Sequence, residues 1–298
     1  MSELTDLAER ARTSPEAAMD LAERHLLGID TAPDSKAALE VVKQAAAMGH
    51  TDGRRAWVYM TAAGIGAPAN EAKARAMLGE LAKEDRFAAV QLAFLAHVTC
   101  EARLAEVTPR IISSDPYIAI FPKLFSSAEC RYLSLLGTPW MEKASVLSLA
   151  GEGRIDEVRD AHSCAIPHLA EDLVVQAVNR TIAAASGTQA GWGEPLNILK
   201  YNPGQQYKPH HDGTGSDNVS VRNLTALIWL NDDFDGGETD FPKIGVRVRG
   251  EVGDMLVFRN VRDSGAFDER MIHAGLPVTR GTKWMASRWI RGEDFLKG

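Results

Sequence analysis

The sequence predicts an α+β multidomain protein. An N-terminal α-helical repeat domain is expected over residues 1–105, and a β-rich domain of sandwich or jelly-roll type with supporting helices over residues 106–298. Three observations carry this. Residues 3 to about 100 are rich in Ala, Leu, Glu, Lys and Arg, with apolar positions at helical spacing. Residues 108–116 hold Pro109 and Pro116 among Thr108, Ser113, Ser114 and Asp115, which reads as a boundary. From Leu196 onward, short apolar or alternating runs recur between Gly, Asp, Asn and Pro.

In the N-terminal part, Leu4, Leu7, Ala8 and Ala11 form one helical stripe, and Ala38, Val41, Val42, Ala45 and Ala46 another. An internal period is visible, because Leu26, Leu27 and Gly28 recur as Ala62, Ala63 and Gly64. Likewise Lys36 to Leu39 recurs as Lys73 to Ala76, and Pro33 and Pro68 mark the intervening loops. A period in the thirties with small residues at the crossings indicates stacked helical hairpins. The Ala-rich pattern resembles Sel1-like or tetratricopeptide-like repeats, which implies either a surface for a protein partner or a helical buttress.

Beyond the boundary, Tyr117 to Phe121 is β-prone, and Ser126 with Glu129 three later fits a capping box at a helix start. Residues 137–165, with Gly151 and Gly153, read as an irregular excursion, either a cover for a substrate or an ordinary surface loop. His162 and His168 are expected to be structural. A helix is expected from Leu169 to Ala185, stopped by Gly187, with a turn at Trp192 and Gly193. Expected strands follow at 196–201, 206–212, 224–230, 239–241, 246–249, 255–258, 271–274 and 284–290.

Composition narrows the function classes. The formal charge of −7 argues against nonspecific nucleic-acid binding. Cys100, Cys130 and Cys164 form no CxxC pair and are expected to be buried thiols. The acidic N-terminus has no apolar segment of the kind that signals secretion, and no run reaches the ~18 apolar residues of a membrane span. A cytoplasmic protein without membrane attachment is expected.

The chemistry concentrates at His210 and Asp212. Positions two apart on a strand share a face, so these two converge while His211 turns away. An imidazole beside a carboxylate can hold a divalent first-row metal if a second His completes a 2-His-1-carboxylate face. The pair by itself could also be a surface pair on a strand.

The surrounding residues resemble a known family. Tyr201, Tyr207, His210 and Asp212 are followed by Asn231, Gly236, Gly237, Glu238, Thr239, Phe241 and Pro242. Then come His273, Gly275, Pro277, Val278, Gly281, Lys283 and Trp284, closed by Trp289. In order and spacing these are similar to the prolyl 4-hydroxylase-like branch of the Fe(II)/2-oxoglutarate-dependent dioxygenases, over about residues 117 to 292. The resemblance implies a double-stranded β-helix with Fe(II) held by His210, Asp212 and His273. It also implies 2-oxoglutarate as cosubstrate with its far carboxylate on Lys283, a hydrogen bond from Tyr201 to it, and Thr225 in the same pocket. O2 is the oxidant and ascorbate an accessory reductant. Tyr207, Arg222 and Trp289 match positions that face the substrate or shape its pocket. A basic residue deep in the cup suits a buried dicarboxylate, whose desolvation a charge-assisted hydrogen bond offsets.

The activity so implied is hydroxylation of an unactivated C–H bond, of a peptidyl residue such as proline, with release of succinate and CO2. The alternatives are hydroxylation of a free amino acid or small natural product, and a non-catalytic binding module. Two positions depart from the family pattern. Trp229 stands where many relatives have a Tyr, and Arg291 where peptide-directed members often have a His.

Overall fold

The computed structural model describes residues 3–147, 153–155, 159–213 and 221–296, with the side chains of 145–147 and 153–155 excepted. The chain packs as two compact units. One comprises residues 1–98 with 167–177 and 296–298; the other comprises 99–166 and 178–295.

The first unit is helical: Glu3–Arg10, Pro15–Leu27, Ser35–Ala47, Thr51–Ala63, Glu71–Leu81 and Arg86–Leu95. Small side chains let these helices approach, and Ala22, Ala38 and Ala56 are buried with Leu26, Leu39, Val42 and Met60 in one cluster. The sequence period reappears in the backbone. Gly28 and Gly64 both take a left-handed conformation (φ 70° and 78°), where a Cβ would be strained, and donate their N–H to Arg24 O and Met60 O. The Asp34 N–H reaches His25 O at 2.7 Å, and the Asn70 N–H reaches Thr61 O at 2.9 Å. Asp34 and Asn70 then cap the following helices by accepting from Ala37 N and Lys73 N. Each of these features recurs thirty-six positions on (28 to 64, 25 to 61, 34 to 70).

The second unit is sheet-rich. Its larger sheet runs, in spatial order, Arg110–Ser114, Tyr117–Phe121, Met255–Arg259, Leu224–Trp229, Lys283–Ile290, Asn197–Tyr201, His162–Ala165 and Glu142–Lys143. A smaller sheet runs Val246–Val248, Thr239–Phe241, His273–Gly275, Gln206–His210 and Arg159–Asp160. Neighbours in both are antiparallel. Both sheets contribute to one core: Ile118, Ile120, Leu199, Trp229, Leu256, Phe258 and Met285 from the larger, Phe241 and Val248 from the smaller.

The helix Ser127–Gly137 covers the outer face of the larger sheet, and a Cβ on Gly137 would lie 3.0 Å from Ile198. Met255 to Phe258 are all buried, which is why this strand reads as an almost continuous apolar run. Ser126 and Glu129 form the expected capping box, and the buried Glu129 also accepts from Thr99 N and Cys100 N. Trp229 is fully buried and lies so close to Gly250 that any Cβ there would meet its ring.

Several expectations change. Residues 110–114, read as boundary, form the edge strand Arg110–Ser114, because Ile111 and its neighbours pair with Tyr117–Phe121. The excursion 137–165 contains the strands Glu142–Lys143, Arg159–Asp160 and His162–Ala165, which extend both sheets at their ends. Its Gly151 lies outside the described residues. The helix expected from Leu169 starts at Leu173, because the buried Asp172 carboxylate accepts from Val174 N and Val175 N and sets the cap there. The strand expected over 206–212 ends at His210, which leaves Asp212 just past it.

The cysteines are free and buried, and burial pushes the Cys100 and Cys130 thiols up to about 12, which keeps them protonated. No helix among the described residues is long and apolar enough to cross a membrane.

Candidate active site

Two short strands of the smaller sheet bring the histidines together. Gln206–His210 pairs antiparallel with His273–Gly275, and His210 lies directly opposite His273. Their rings are 4.3 Å apart between centroids. Asp212, two residues beyond His210, turns into the same space and is 5% exposed.

Backbone carbonyls orient both imidazoles. His210 Nδ1 lies 2.8 Å from Lys208 O, and His273 Nδ1 lies 3.0 Å from Met271 O. A carbonyl oxygen can only accept, so each Nδ1 carries the proton and each Nε2 keeps a free lone pair. Those lone pairs face the carboxylate: His210 Nε2 is 3.4 Å from Asp212 Oδ1, and His273 Nε2 is 3.6 Å from Asp212 Oδ2. The ligand atoms of His210, Asp212 and His273 all lie within 4.8 Å of one another. Tyr207 stacks on His210, with centroids 3.4 Å apart and rings 13° from parallel, while Phe258 and Phe241 pack around His273.

The electrostatics suit a cation. Burial opposes ionisation of Asp212, yet His273, His210 and the hydroxyl of Thr225 together hold its carboxyl well below the usual range. Burial lowers His273 to about 4, with His210 beside it contributing. At neutral pH Asp212 is therefore anionic and His273 neutral, the protonation states that ligate a metal. Two imidazole nitrogens and a carboxylate oxygen around a common point, with room on the cavity side, fit a first-row divalent ion such as Fe(II).

Lys283 and Tyr201 lie farther along the same cavity, opposite one another in adjacent strands. Lys283 is 3% exposed, its Nζ donates to Gly237 O, and the ammonium lies 5.5 Å from the Tyr201 ring centroid. Burial lowers Lys283 to about 7. Tyr207 and Trp289 also line the cavity.

Two residues stand elsewhere than expected. Thr225 is not on the cavity wall. Its hydroxyl donates to Asp212 Oδ2 at 2.8 Å and accepts from Asn260 Nδ2 at 2.9 Å, so it steadies the carboxylate. Arg222 lies behind Trp289, with its guanidinium 4.0 Å over that ring and its Nε and Nη2 donating to the two oxygens of Glu194 at 2.6 and 2.7 Å. Arg291 donates to Glu194 Oε1 at 2.7 Å. Pairing with Glu194 draws Arg222 away from the cavity. His211 faces the other way, with Nε2 3.1 Å from Asp268 O.

Sequence reasoning gave no role to Thr239 and Arg159, which also line the cavity. Thr239 lies in the quoted Gly-Gly-Glu-Thr stretch, so a signal was present. Arg159 fell within residues read as irregular, where nothing marked it.

Residues 196–291 match the family model described as the 2OG-Fe(II) oxygenase superfamily. Prolyl 4-hydroxylase 1 of Arabidopsis thaliana is 32% identical over 209 residues, 63% of this chain and 74% of the relative. Probable prolyl 4-hydroxylase 3 of the same plant is 30% identical over 209 residues, 62% and 72% of the two chains. Among solved structures, viral collagen prolyl hydroxylase from Paramecium Bursaria Chlorella virus-1, in its 2OG complex, gives a TM-score of 0.49. It is 22% identical, and the match covers 61% of this chain and 99% of that one. A Trichoplax adhaerens prolyl hydroxylase bound to a hypoxia inducible factor peptide fragment gives 0.47 at 15% identity, covering 71% and 95%.

Calorimetric titration with Mn(II) or Co(II) tests the geometry. Asp212→Ala should abolish binding, and His211→Ala should leave it nearly unchanged. Thr225→Val should weaken it about 10–100-fold, with Thr225→Ser restoring most of the loss. Loss of binding in His211→Ala but not in Asp212→Ala would overturn the assignment.

Proposed function

The chain belongs to the prolyl 4-hydroxylase family of 2-oxoglutarate- and Fe(II)-dependent oxygenases, and from that membership we propose that it hydroxylates a proline within a peptide or protein. It is a 2-oxoglutarate-dependent dioxygenase that uses Fe(II), 2-oxoglutarate and O2. The observation that carries the substrate reading is the His210, Asp212 and His273 cluster sharing one cavity with Lys283, in a chain whose curated relatives are prolyl 4-hydroxylases.

With Fe(II) bound, one atom of O2 enters succinate as 2-oxoglutarate loses CO2, and the other enters a substrate C–H bond. The chain's residues prepare that reaction. His210, Asp212 and His273 would hold the metal, their orientation fixed by Lys208 O, Met271 O and the Thr225 hydroxyl. The Lys283 ammonium receives the far carboxylate, with Tyr201 beside it. Tyr207 and Trp289 form an aromatic wall on the substrate side, suited to a pyrrolidine ring.

The same reading extends to architecture. The two antiparallel sheets around one core support reading the second unit as a double-stranded β-helix, or jelly roll, with the boundary between the domains near residue 100 and residues 167–177 belonging to the first. The thirty-six-residue recurrence of caps supports reading the N-terminal helices as Sel1-like or tetratricopeptide-like repeats, and the free buried thiols fit a cytoplasmic protein. An open groove of about 650 Å³ among these helices, lined by Arg54, Arg86, Phe87 and Val90, is the place for a protein partner or a long substrate.

Three measurements test this reading. Incubation with Fe(II), 2-oxoglutarate and proline-bearing peptides should give a mass gain of one oxygen on proline with matching succinate. Turnover confined to substrates without proline would overturn the proposal. Val90→Asp should slow a folded protein substrate more than a short peptide; equal effects would remove the groove from the argument.

The third concerns pH. Lys283 must be protonated to hold the dianion, and its free-state value of about 7 means that binding takes up a proton above neutrality. The dissociation constant for 2-oxoglutarate should therefore rise about tenfold per pH unit above pH 7, and level off below it. Lys283→Ala should weaken 2-oxoglutarate and flatten this slope while metal binding persists. A slope that persists in Lys283→Ala would assign it to another group.

A further inference from the structure

Arg159 is 4% exposed and lies on the cavity wall with the three metal-binding residues and Lys283. It sits opposite Tyr207 in the register of the smaller sheet. Its guanidinium is 5.0 Å from the Tyr207 ring centroid and 6.0 Å from that of Trp289. Its buried Nε has no hydrogen-bond partner, and among the described residues it forms no ion pair. The neighbouring carboxylate, Asp160, accepts from Gln205 Nε2 at 2.8 Å instead. The nearby Glu194 is taken by Arg222 and Arg291.

Among the described residues the rings of Tyr207 and Trp289 are the recorded neighbours of this guanidinium, and aromatic faces do not replace the hydrogen bond that its buried Nε lacks. The charges of the loaded site do not help it. A metal dication and the Lys283 ammonium balance the Asp212 carboxylate and the 2-oxoglutarate dianion. Arg159 is the charge left over among the described residues lining the cavity, on the wall shared with Tyr207 and Trp289.

Resting on the reading that this cavity takes a proline-bearing substrate, we propose that the substrate carries a carboxylate close to the reacting ring and that Arg159 receives it. A carboxylate would fill the fork of the guanidinium with two parallel hydrogen bonds while Tyr207 and Trp289 hold its plane. Two sources offer this chemistry: an Asp or Glu side chain next to the proline in a peptide, or the α-carboxylate of a free or C-terminal proline.

The test uses the full chain with Fe(II) and 2-oxoglutarate under anaerobic conditions, and measures binding of matched ligand pairs. Acetyl-Glu-Pro-amide is set against acetyl-Gln-Pro-amide, acetyl-Pro-Glu-amide against acetyl-Pro-Gln-amide, and proline against proline amide. At least one acid should bind about tenfold tighter than its amide, the scale of a buried charge-assisted hydrogen bond. Preference confined to the peptide pairs identifies an acidic side chain as the source; preference confined to the third pair identifies the α-carboxylate.

In Arg159→Gln the preference should disappear, and Arg159→Lys should restore part of it, with 2-oxoglutarate affinity reporting an intact cavity. If all pairs bind alike in the native protein, or if the preference survives in Arg159→Gln, the inference is wrong. Should Arg159→Gln fail to fold, the native comparison and Arg159→Lys still decide. Admitting air separates the two readings. Equal oxygen insertion into the acid and amide members of all three pairs removes the carboxylate inference and leaves proline hydroxylation standing. Acid-selective binding without oxygen insertion does the reverse.

Discussion

The pairing of Gln206–His210 with His273–Gly275 is the contact on which the candidate site hangs. Each strand is only a few residues long, and the two are far apart in the chain, so the loop-closure cost is met by the core beneath them rather than by the pair itself. Phe241, Phe258 and Met271 supply that core beside His273. The same local device then acts twice. Each histidine gives its Nδ1 proton to the carbonyl two residues earlier, which turns both Nε2 atoms toward Asp212. The carboxylate is steadied separately, through Thr225 and Asn260. Three ligand positions are thus set by backbone, strand register and a buried hydroxyl, before any metal arrives.

Much of this could be read from residues alone, and the reasons differ by element. The strands from Leu196 onward were legible because apolar alternation and turn residues report burial on a pleated surface. The helices before residue 100 were legible from apolar spacing and from the glycines that end them. His210 and Asp212 were visible as a spaced pair, while His273 required the family pattern, because nothing local announces a partner from a distant strand. The strands within 137–165 were missed because they are two to four residues long and are fixed by the sheet edges they join, not by their own propensity. The placements of Thr225 and Arg222 were illegible for a similar reason. Which neighbour a buried polar side chain chooses is decided in three dimensions, by Asp212 in one case and Glu194 in the other.

Charge organises the interior of the sheet-rich unit into two neighbourhoods. Around Glu194, two guanidiniums share one carboxylate, and Arg288 adds hydrogen bonds to the carbonyls of Glu194 and Ala190. These groups brace Trp289 from behind. In the cavity, by contrast, Lys283 and Arg159 have few protein partners, and burial weakens the hold of Lys283 on its proton. A protein rarely tolerates buried cations so thinly satisfied unless an anion from outside completes them. Trp229 fits the same division. It is fully buried and packs against Gly250, so it belongs to the core rather than to the cavity wall.

The repeating hydrogen bonds of the helical unit carry a consequence for how such a chain can change length. Because the exit of one hairpin and the entrance of the next are closed by the same pair of backbone bonds, thirty-six residues form a self-contained module with matching ends. Duplicating or excising one module would join ends that make the same two backbone bonds and carry a capping residue at the same place, whereas a cut at another spacing would separate a helix cap from its partner. The hydrogen bonding of this segment therefore favours changes of length in steps of thirty-six residues.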